Sequence, residues 1–175
     1  MPFSEGQIVV HPHHGPATVT AITTRVVRAE QRRYLKLQVL GSDLVVGVPL
    51  ESAEEVGVRP VLGDRTPEEV FAVLTAPTGH EESGWSRRIE ADVDRLRSGD
   101  LLVIAGLVRD LTRRQEDKGI SLGEKDVLRD ARRPFVAEIA IALGLDDDEA
   151  DAAVDAAVLD GTVPRPPERE LAVAG

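Results

Sequence analysis

The most distinctive chemistry in the chain belongs to its single tryptophan and the two arginines that follow. Trp85 is the only tryptophan among 175 residues and lies in the segment Gly84-Trp85-Ser86-Arg87-Arg88. A flat apolar ring can wedge against unstacked bases while guanidinium groups reach the neighbouring phosphates. The same residues also fit a plainer interpretation, in which the ring seals a helix onto a core and both arginines stay in solvent. The five residues alone leave both interpretations open.

Histidines near the N-terminus offer a second kind of chemistry, metal binding. His11 and His13 would share one face of a strand, and Asp43 or a glutamate would complete a ligand set. Adjacent His13 and His14 would point to opposite faces and could not easily ligate together. The alternative is a turn over residues 12–15 whose histidines form local hydrogen bonds. We favour that turn and expect no metal site and no cofactor.

Catalytic patterns are absent from the sequence. The chain has no cysteine, no serine elbow and no phosphate-cradling glycine loop. The acidic run at residues 146–149 lacks the spacing of a Ca²⁺ loop and fits a helix start, where carboxylates offset the positive end of the dipole. We therefore expect no catalytic residue and a protein that is not an enzyme.

Composition and charge indicate where the protein works and which partners it can attract. The absence of cysteine suits a reducing compartment, the N-terminus carries no signal-peptide pattern, and the apolar stretch at residues 101–108 is too short to cross a bilayer. We expect a cytoplasmic protein without a membrane contact. The net charge is −10, and residues 146–175 hold nine acidic but only two basic side chains. Because no long-range field attracts nucleic acid, any contact with DNA must be local or delivered by a partner.

The pattern of apolar residues changes near residue 60 from a strand period to a helix period. Segments 7–10, 17–22, 34–40 and 44–48 predict short strands joined by turns. Helices are expected to begin after Thr66, near Ser86, after Asp100, after Ser121 and after Asp146, and Pro134 should kink or split the fourth. The prediction is an α+β fold with a β domain at residues 1–58, a helical domain at 61–160 and a disordered tail at 161–175.

Several short motifs follow one another in an order that resembles the CarD/CdnL family of bacterial transcription regulators, which bind RNA polymerase. The motifs include Pro12-His13-His14-Gly15, Trp85-Ser86-Arg87-Arg88, Ser98-Gly99-Asp100, Val108-Arg109-Asp110-Leu111 and Gly123-Glu124-Lys125. The resemblance covers roughly residues 3–145. It implies a small Tudor-like antiparallel β module that binds the polymerase β subunit, followed by an all-α module of five helices that contacts DNA.

The resemblance also implies which residues make contact. The family's tryptophan wedges into the minor groove of the −10 promoter element at the upstream edge of the bubble, and it corresponds to Trp85. The residues expected to bind DNA are Trp85, Arg87, Arg88, Arg114 and Lys125. The residues expected to bind the β subunit of RNA polymerase are Arg25, Val45, Val46 and Gly47. A monomer is expected.

The chain departs from the family at several charged positions. Gly47 stands where relatives carry an arginine that helps to hold polymerase, and Glu90, Asp126 and Asp130 stand where lysine or arginine would face DNA. Each acidic reversal replaces attraction by repulsion near phosphates. Two functions therefore stay open: stabilisation of the promoter open complex, and competition for polymerase as an adaptor with weak or no DNA contact. A third is a pure adaptor that uses the acidic C-terminal segment.

Overall fold

The N-terminal module is one antiparallel sheet of five strands. A computed structural model describes residues 3–165 of the chain, and all structural statements concern those residues. The strands are β1 (Ile8–His11), β2 (Gly15–Val27), β3 (Glu30–Val39), β4 (Val45–Pro49) and β5 (Arg59–Pro60). Their order in the sheet is β4-β3-β2-β1-β5, so β4 and β5 form the two edges. A 3-10 turn (Leu50–Ser52) and a short helix α1 (Ala53–Val56) connect β4 to β5.

The central hairpin is longer than the sequence pattern indicated. β2 and β3 pair from Ala17–Val39 out to Val27–Glu30, so residues 23–27 and 30–33 form strand and not loop. The hairpin turns at Arg28 and Ala29, whose φ angles of 50° and 67° are typical of a two-residue type I′ turn. A register shift between Val19 and Ala21 bends β2, so its first half covers the core and its second half projects into solvent.

The helical module contains five further helices. They are α2 (Pro67–Thr75), α3 (Trp85–Arg97), α4 (Leu101–Lys118), α5 (Leu122–Leu143) and α6 (Asp147–Asp155), and a π-helical segment (Ala156–Asp160) continues α6. The predicted caps of α2, α5 and α6 are confirmed, because Thr66, Ser121 and Asp146 each form a reciprocal capping box. The described residues thus form an α+β protein with a β module followed by five helices, as the sequence predicted.

Each module has its own core. The core of the sheet is built from Phe3, one face of β1 to β4, and Ala53 and Val58. The helical core includes Phe71 from α2, Leu107 from α4 and Ile139 from α5, all almost fully buried. Leu62, two residues after β5, already belongs to the helical core, so the change from one core to the other takes place at residues 59–62.

Pro134 does not split α5, which was one of the two outcomes, a kink or a split, that the sequence predicted. The helix is continuous from Leu122 to Leu143 with Pro134 inside it. The proline lies against the turn between β1 and β2: a Cβ built on Gly15 would come within 3.2 Å of its Cβ atom. Gly15 has a φ of 74°, which favours glycine, and its missing side chain leaves room for the proline ring. Packing between the modules thus helps to offset the hydrogen bond that Pro134 cannot donate.

A buried glutamate completes the junction between the modules. Glu138 of α5 is almost fully buried and forms a bidentate ion pair with Arg59 of β5, with 3.0 Å between Arg59 Nη2 and Glu138 Oε2. Its Oε1 atom also accepts a hydrogen bond of 2.7 Å from the backbone N–H of Leu62. Since one carboxylate satisfies donors from both modules, the sheet and the helices are held in a fixed relation.

No helix within residues 3–165 is long and apolar enough to cross a membrane. The predicted disordered tail at residues 161–175 falls mostly outside the described part, since only residues 161–165 of it are described.

Candidate nucleic-acid interface

Trp85 is the first residue of α3 and remains half exposed. Its predecessor Gly84 has a φ of 98°, a left-handed conformation that a side chain would strain, and this turn sets the direction in which α3 starts. The side chain of Trp85 is 51% exposed. The ring is therefore not sealed into a core, and about half of the residue is accessible to a partner.

The first turn of α5 holds the tryptophan ring in place. Trp85 Nε1 donates a hydrogen bond of 3.0 Å to the hydroxyl of Ser121, the N-cap of α5. The ring also lies beside Gly123, where a Cβ atom would be 3.8 Å from Trp85 Cζ2 and 3.3 Å from Ile89 Cδ1. The indole N–H is thus satisfied, and the absence of a side chain at Gly123 lets the ring approach the helix. We call Trp85, Arg88, Arg114, Ser121, Gly123 and Glu124 the tryptophan platform.

Glu124 is the most deeply buried charged residue of the tryptophan platform and is almost inaccessible to solvent. Its Oε2 atom accepts the backbone N–H of Ser121 at 2.8 Å, and its Oε1 atom lies 3.6 Å from Arg88 Nε and 3.5 Å from Arg114 Nε. Burial alone would raise the pKa of Glu124, but the hydrogen bonds from Ser121 and the charges of Arg114 and Arg88 lower it below its usual value. The carboxylate is therefore charged at neutral pH.

Two of the arginines predicted to bind DNA are engaged inside the protein. The side chain of Arg114 is 13% exposed and pairs with Glu81 at 2.9 Å as well as with Glu124. The side chain of Arg88 is 20% exposed and pairs with Glu124. These side chains support the platform, and a phosphate would have to compete with a buried carboxylate for them.

The loop before Trp85 is fixed by a row of charged residues on α4. Arg113 donates from Nη1 to the carbonyl of Ala76 at 2.7 Å, and Arg109 donates to the carbonyl of Val73 at 2.9 Å. Asp110 accepts the N–H of Gly79 at 3.4 Å. A cavity of about 290 Å³ lies between this loop, α3 and α4. Residues 108–114 of α4 thus position the end of α2 and the loop that leads from it to α3.

The solvent side of the platform carries both signs of charge and one further apolar side chain. Arg87 and Lys125 are exposed, and neither side chain has an ion-pair partner within residues 3–165. Leu122, next to Ser121, is 80% exposed. Glu90 is exposed as well, and Asp126 and Asp130 both pair with Arg129 on the same helix. Of the four basic residues predicted to bind DNA, Arg87 and Lys125 are thus free, whereas Arg88 and Arg114 are paired.

The residues predicted to contact polymerase lie in the other module. Val45, Val46 and Gly47 belong to the edge strand β4, which pairs with β3 on one side only. Gly47 has nothing within 4 Å of where a Cβ would stand. Arg25 lies on the projecting half of β2, with its guanidinium 5.7 Å from the ring centre of Tyr34. The structure therefore separates the predicted residues into a sheet edge with its hairpin and the tryptophan platform.

The histidines form local contacts. β1 ends at His11 and residues 12–14 form a turn, as the favoured interpretation predicted, so the argument from strand faces does not apply to His13 and His14. His11 is buried, and its Nδ1 atom accepts the N–H of His13 at 3.2 Å. Across residues 3–165 there is no group of three or more histidine, cysteine, aspartate or glutamate side chains that could hold a metal ion.

The sequence identified Ser121 and Glu124 only as a helix cap, and their contacts with Trp85, Arg88 and Arg114 were not predicted. These contacts join different helices, so no pattern along one helix reveals them. Glu138 was likewise not singled out.

A small five-stranded sheet is joined to a five-helix module that carries a half-exposed tryptophan, so the chain is a protein of two modules. The family comparisons agree with this division. The profile of the CarD-like/TRCF RID domain matches residues 3–62, and that of the CarD C-terminal domain matches residues 69–155. The chain belongs to the CarD family of transcription factors, which is not enzymatic.

A curated relative supports the same assignment. The chain is similar to the Bacillus subtilis (strain 168) protein named "Putative transcription factor YdeB", with 23% identity over 143 residues. The matched region covers 82% of this chain and 94% of that protein. The similarity therefore extends through both modules.

Proposed function

We propose that this transcription factor docks on the β subunit of RNA polymerase and stabilises the promoter open complex by inserting Trp85 into the minor groove at the upstream edge of the bubble. The observation that carries the proposal is the half-exposed ring of Trp85, which is fixed by the hydroxyl of Ser121. A ring held in this way has little conformational freedom left to lose on binding, so most of its contact energy is available to the complex.

The size of the effect follows from stacking energies. An aromatic side chain against a base contributes about 1–3 kcal/mol with little sequence preference. An energy of about 1–3 kcal/mol changes an equilibrium by roughly 5- to 150-fold, which is enough to move a promoter between mainly closed and mainly open. No catalytic group is needed for such a shift.

The sheet module supplies a surface suited to docking on polymerase. β4 is an unpaired edge with exposed Val45, and an edge of this kind can add a strand of a partner through backbone hydrogen bonds. Arg25 on the adjacent hairpin adds a positive charge that can steer the encounter. The description of residues 3–62 as a CarD-like/TRCF RID domain supports polymerase as the partner.

The shared junction supports joint action of the two surfaces. Because Glu138 ties Arg59 and Leu62 to α5, docking of the sheet would fix where Trp85 lies relative to the promoter. Delivery by polymerase also removes the need for a strongly basic protein, which agrees with the net charge of −10.

A second function is favoured by a specific observation, the ion pairs that Arg88 and Arg114 form inside the protein. Both side chains pair with Glu124, and Glu90 of α3 is an exposed acidic residue. A protein that binds polymerase with weak or no DNA contact would act as a competitor or adaptor for a more basic relative.

The lifetime of the open complex separates the two functions. The lifetime is measured with cognate polymerase on a fluorescent promoter fragment in the presence of wild type, Trp85→Ala or Trp85→Phe. Binding of each variant to polymerase is measured in parallel. The proposal expects a longer lifetime with wild type, roughly a 5- to 150-fold loss of that gain with Trp85→Ala, and partial retention with Trp85→Phe. Normal polymerase binding with an unchanged lifetime in wild type would favour the competitor.

A further inference from the structure

The hydroxyl of Ser121 performs two tasks at the start of α5. It accepts the indole N–H of Trp85 at 3.0 Å, and it also accepts the backbone N–H of Glu124 at 3.2 Å. The position of the Trp85 ring is therefore tied to the geometry of this cap. A change that moves Ser121 would move the hydrogen-bond acceptor of the ring.

Glu124 has a second connection that the other capping boxes lack. In the boxes of α2 and α6, Glu69 and Glu149 are exposed and have no ion pair in the described part of the chain. Glu124 is buried, and its Oε1 atom faces guanidiniums from both α3 and α4. That oxygen and the Nε atoms of Arg88 and Arg114 have no hydrogen bond of normal geometry. A purely local cap needs neither this burial nor these charges.

We propose that Glu124 is a positioning residue for Trp85. It fixes Ser121 through the cap and fixes α3 and α4 through Arg88 and Arg114, so the ring is presented in one orientation. Arg88 and Arg114 act in the same unit and position the ring instead of binding phosphate. The inference rests on the proposed function only for its effect on DNA, because the orientation of the ring is a property of the free protein.

The first test uses the fluorescence of the free protein, to which Trp85 is the only tryptophan contributor. Glu124→Gln keeps an acceptor for the Ser121 N–H but removes the charge that holds the two arginines. We expect its emission to shift to the red and its quenching by acrylamide to increase. Glu69→Gln makes the same change in the capping box of α2, and it should leave the emission as in wild type.

The second test is a double-mutant cycle, which separates positioning from general destabilisation. Phenylalanine has no N–H to donate, so Ser121→Ala should matter only when Trp85 is present. We expect Ser121→Ala to shorten the open-complex lifetime about three- to tenfold in the wild-type background and to leave it unchanged in Trp85→Phe. If Glu124→Gln fails to fold, this cycle still tests the hydrogen bond between Ser121 and Trp85, through which Glu124 is proposed to act.

The two tests distinguish failure of the positioning role from failure of the wedge. Unchanged emission in Glu124→Gln, or equal effects of Ser121→Ala in both backgrounds, would overturn the positioning role while Trp85→Ala could still shorten the lifetime. A shifted emission in Glu124→Gln together with no effect of Trp85→Ala on lifetime would sustain the positioning role and overturn the wedge.

Discussion

The edge strand of the sheet and the tryptophan platform differ in which atoms they offer to a partner. β4 offers backbone groups along an open edge, with small or β-branched side chains and no buried charge. The platform offers one aromatic ring, supported from below by the buried carboxylate of Glu124. One surface is distributed along a strand, whereas the other depends on a single side chain and its support.

The difference implies unequal tolerance to substitution. Backbone hydrogen bonds survive most side-chain changes, so an edge strand tolerates substitution of its side chains. A buried carboxylate that satisfies several donors leaves them unpaired when it is lost, so the platform is sensitive to single changes.

The largest effect is expected where the two regions are joined. Glu138→Ala leaves the N–H of Leu62 and the guanidinium of Arg59 without their acceptor, and we expect unfolding to become about 3–5 kcal/mol easier. Urea denaturation followed by circular dichroism measures this. Glu116→Ala, an exposed residue of α4, should change stability by less than about 0.5 kcal/mol. A loss of the same small size in Glu138→Ala would show that the modules are not coupled there.

The sheet module and the tryptophan platform should also differ in how acid affects them, because His11 lies in the sheet and Glu124 in the platform. Burial first, and then the charges of His14 and His13, lower the pKa of His11 from 6.5 to about 4. Between these values the unfolded chain binds a proton that the folded protein does not, so stability is lost as pH falls through this range. From pH 7.5 to pH 5 the loss is about 2 kcal/mol. The pKa of Glu124 is lowered, so its contribution persists until pH falls below its ordinary range.

Chemical denaturation at pH 7.5 and pH 5 measures that loss. His11→Gln should remove most of the difference between the two pH values, since glutamine does not titrate. Fluorescence of Trp85 in folded wild type should be the same at both pH values, because the platform keeps its charges. An equal loss of stability in His11→Gln would rule out the histidine as its source.

A smaller effect is expected at the hairpin, because charge at the rim of an interface acts mainly on the rate of association. Arg25→Glu should weaken polymerase binding about tenfold and reduce its salt dependence, with Trp85 fluorescence unchanged. Arg65→Glu reverses an exposed arginine at the start of the helical module and serves as the control. Equal losses in both variants would mean that net charge, and not the hairpin, determines the affinity.

Local patterns predicted the elements of the fold well. The helix starts at Thr66, Ser121 and Asp146 were found because a capping box is complete within four residues. The outer half of the central hairpin was missed, since residues 24–27 pair only with residues 30–33 and carry no buried apolar face to reveal them. Pro134 was expected to kink or split its helix, and the contact with Gly15 that accommodates the proline comes from a residue distant in sequence.

The sequence predicted the exposed residues of the candidate site but not the buried glutamate that supports them. Trp85 and Arg87 were identified by residue type, and both are exposed. Arg88 and Arg114 have the same chemistry in the sequence, but their partner Glu124 comes from another helix and was assigned only to a cap. Whether a guanidinium is free depends on contacts across helices, which the spacing along one helix does not contain.

Site-specific photo-crosslinking in the promoter complex tests the division of labour most directly. p-Benzoylphenylalanine is introduced in two variants, Trp85→p-benzoylphenylalanine and Val45→p-benzoylphenylalanine, and each is irradiated with cognate polymerase on a promoter fragment. Our account predicts that position 85 crosslinks to DNA at the upstream edge of the bubble and position 45 to the β subunit. Crosslinks from position 85 to protein alone, with position 45 still on the β subunit, would contradict the wedge and leave a polymerase-binding adaptor.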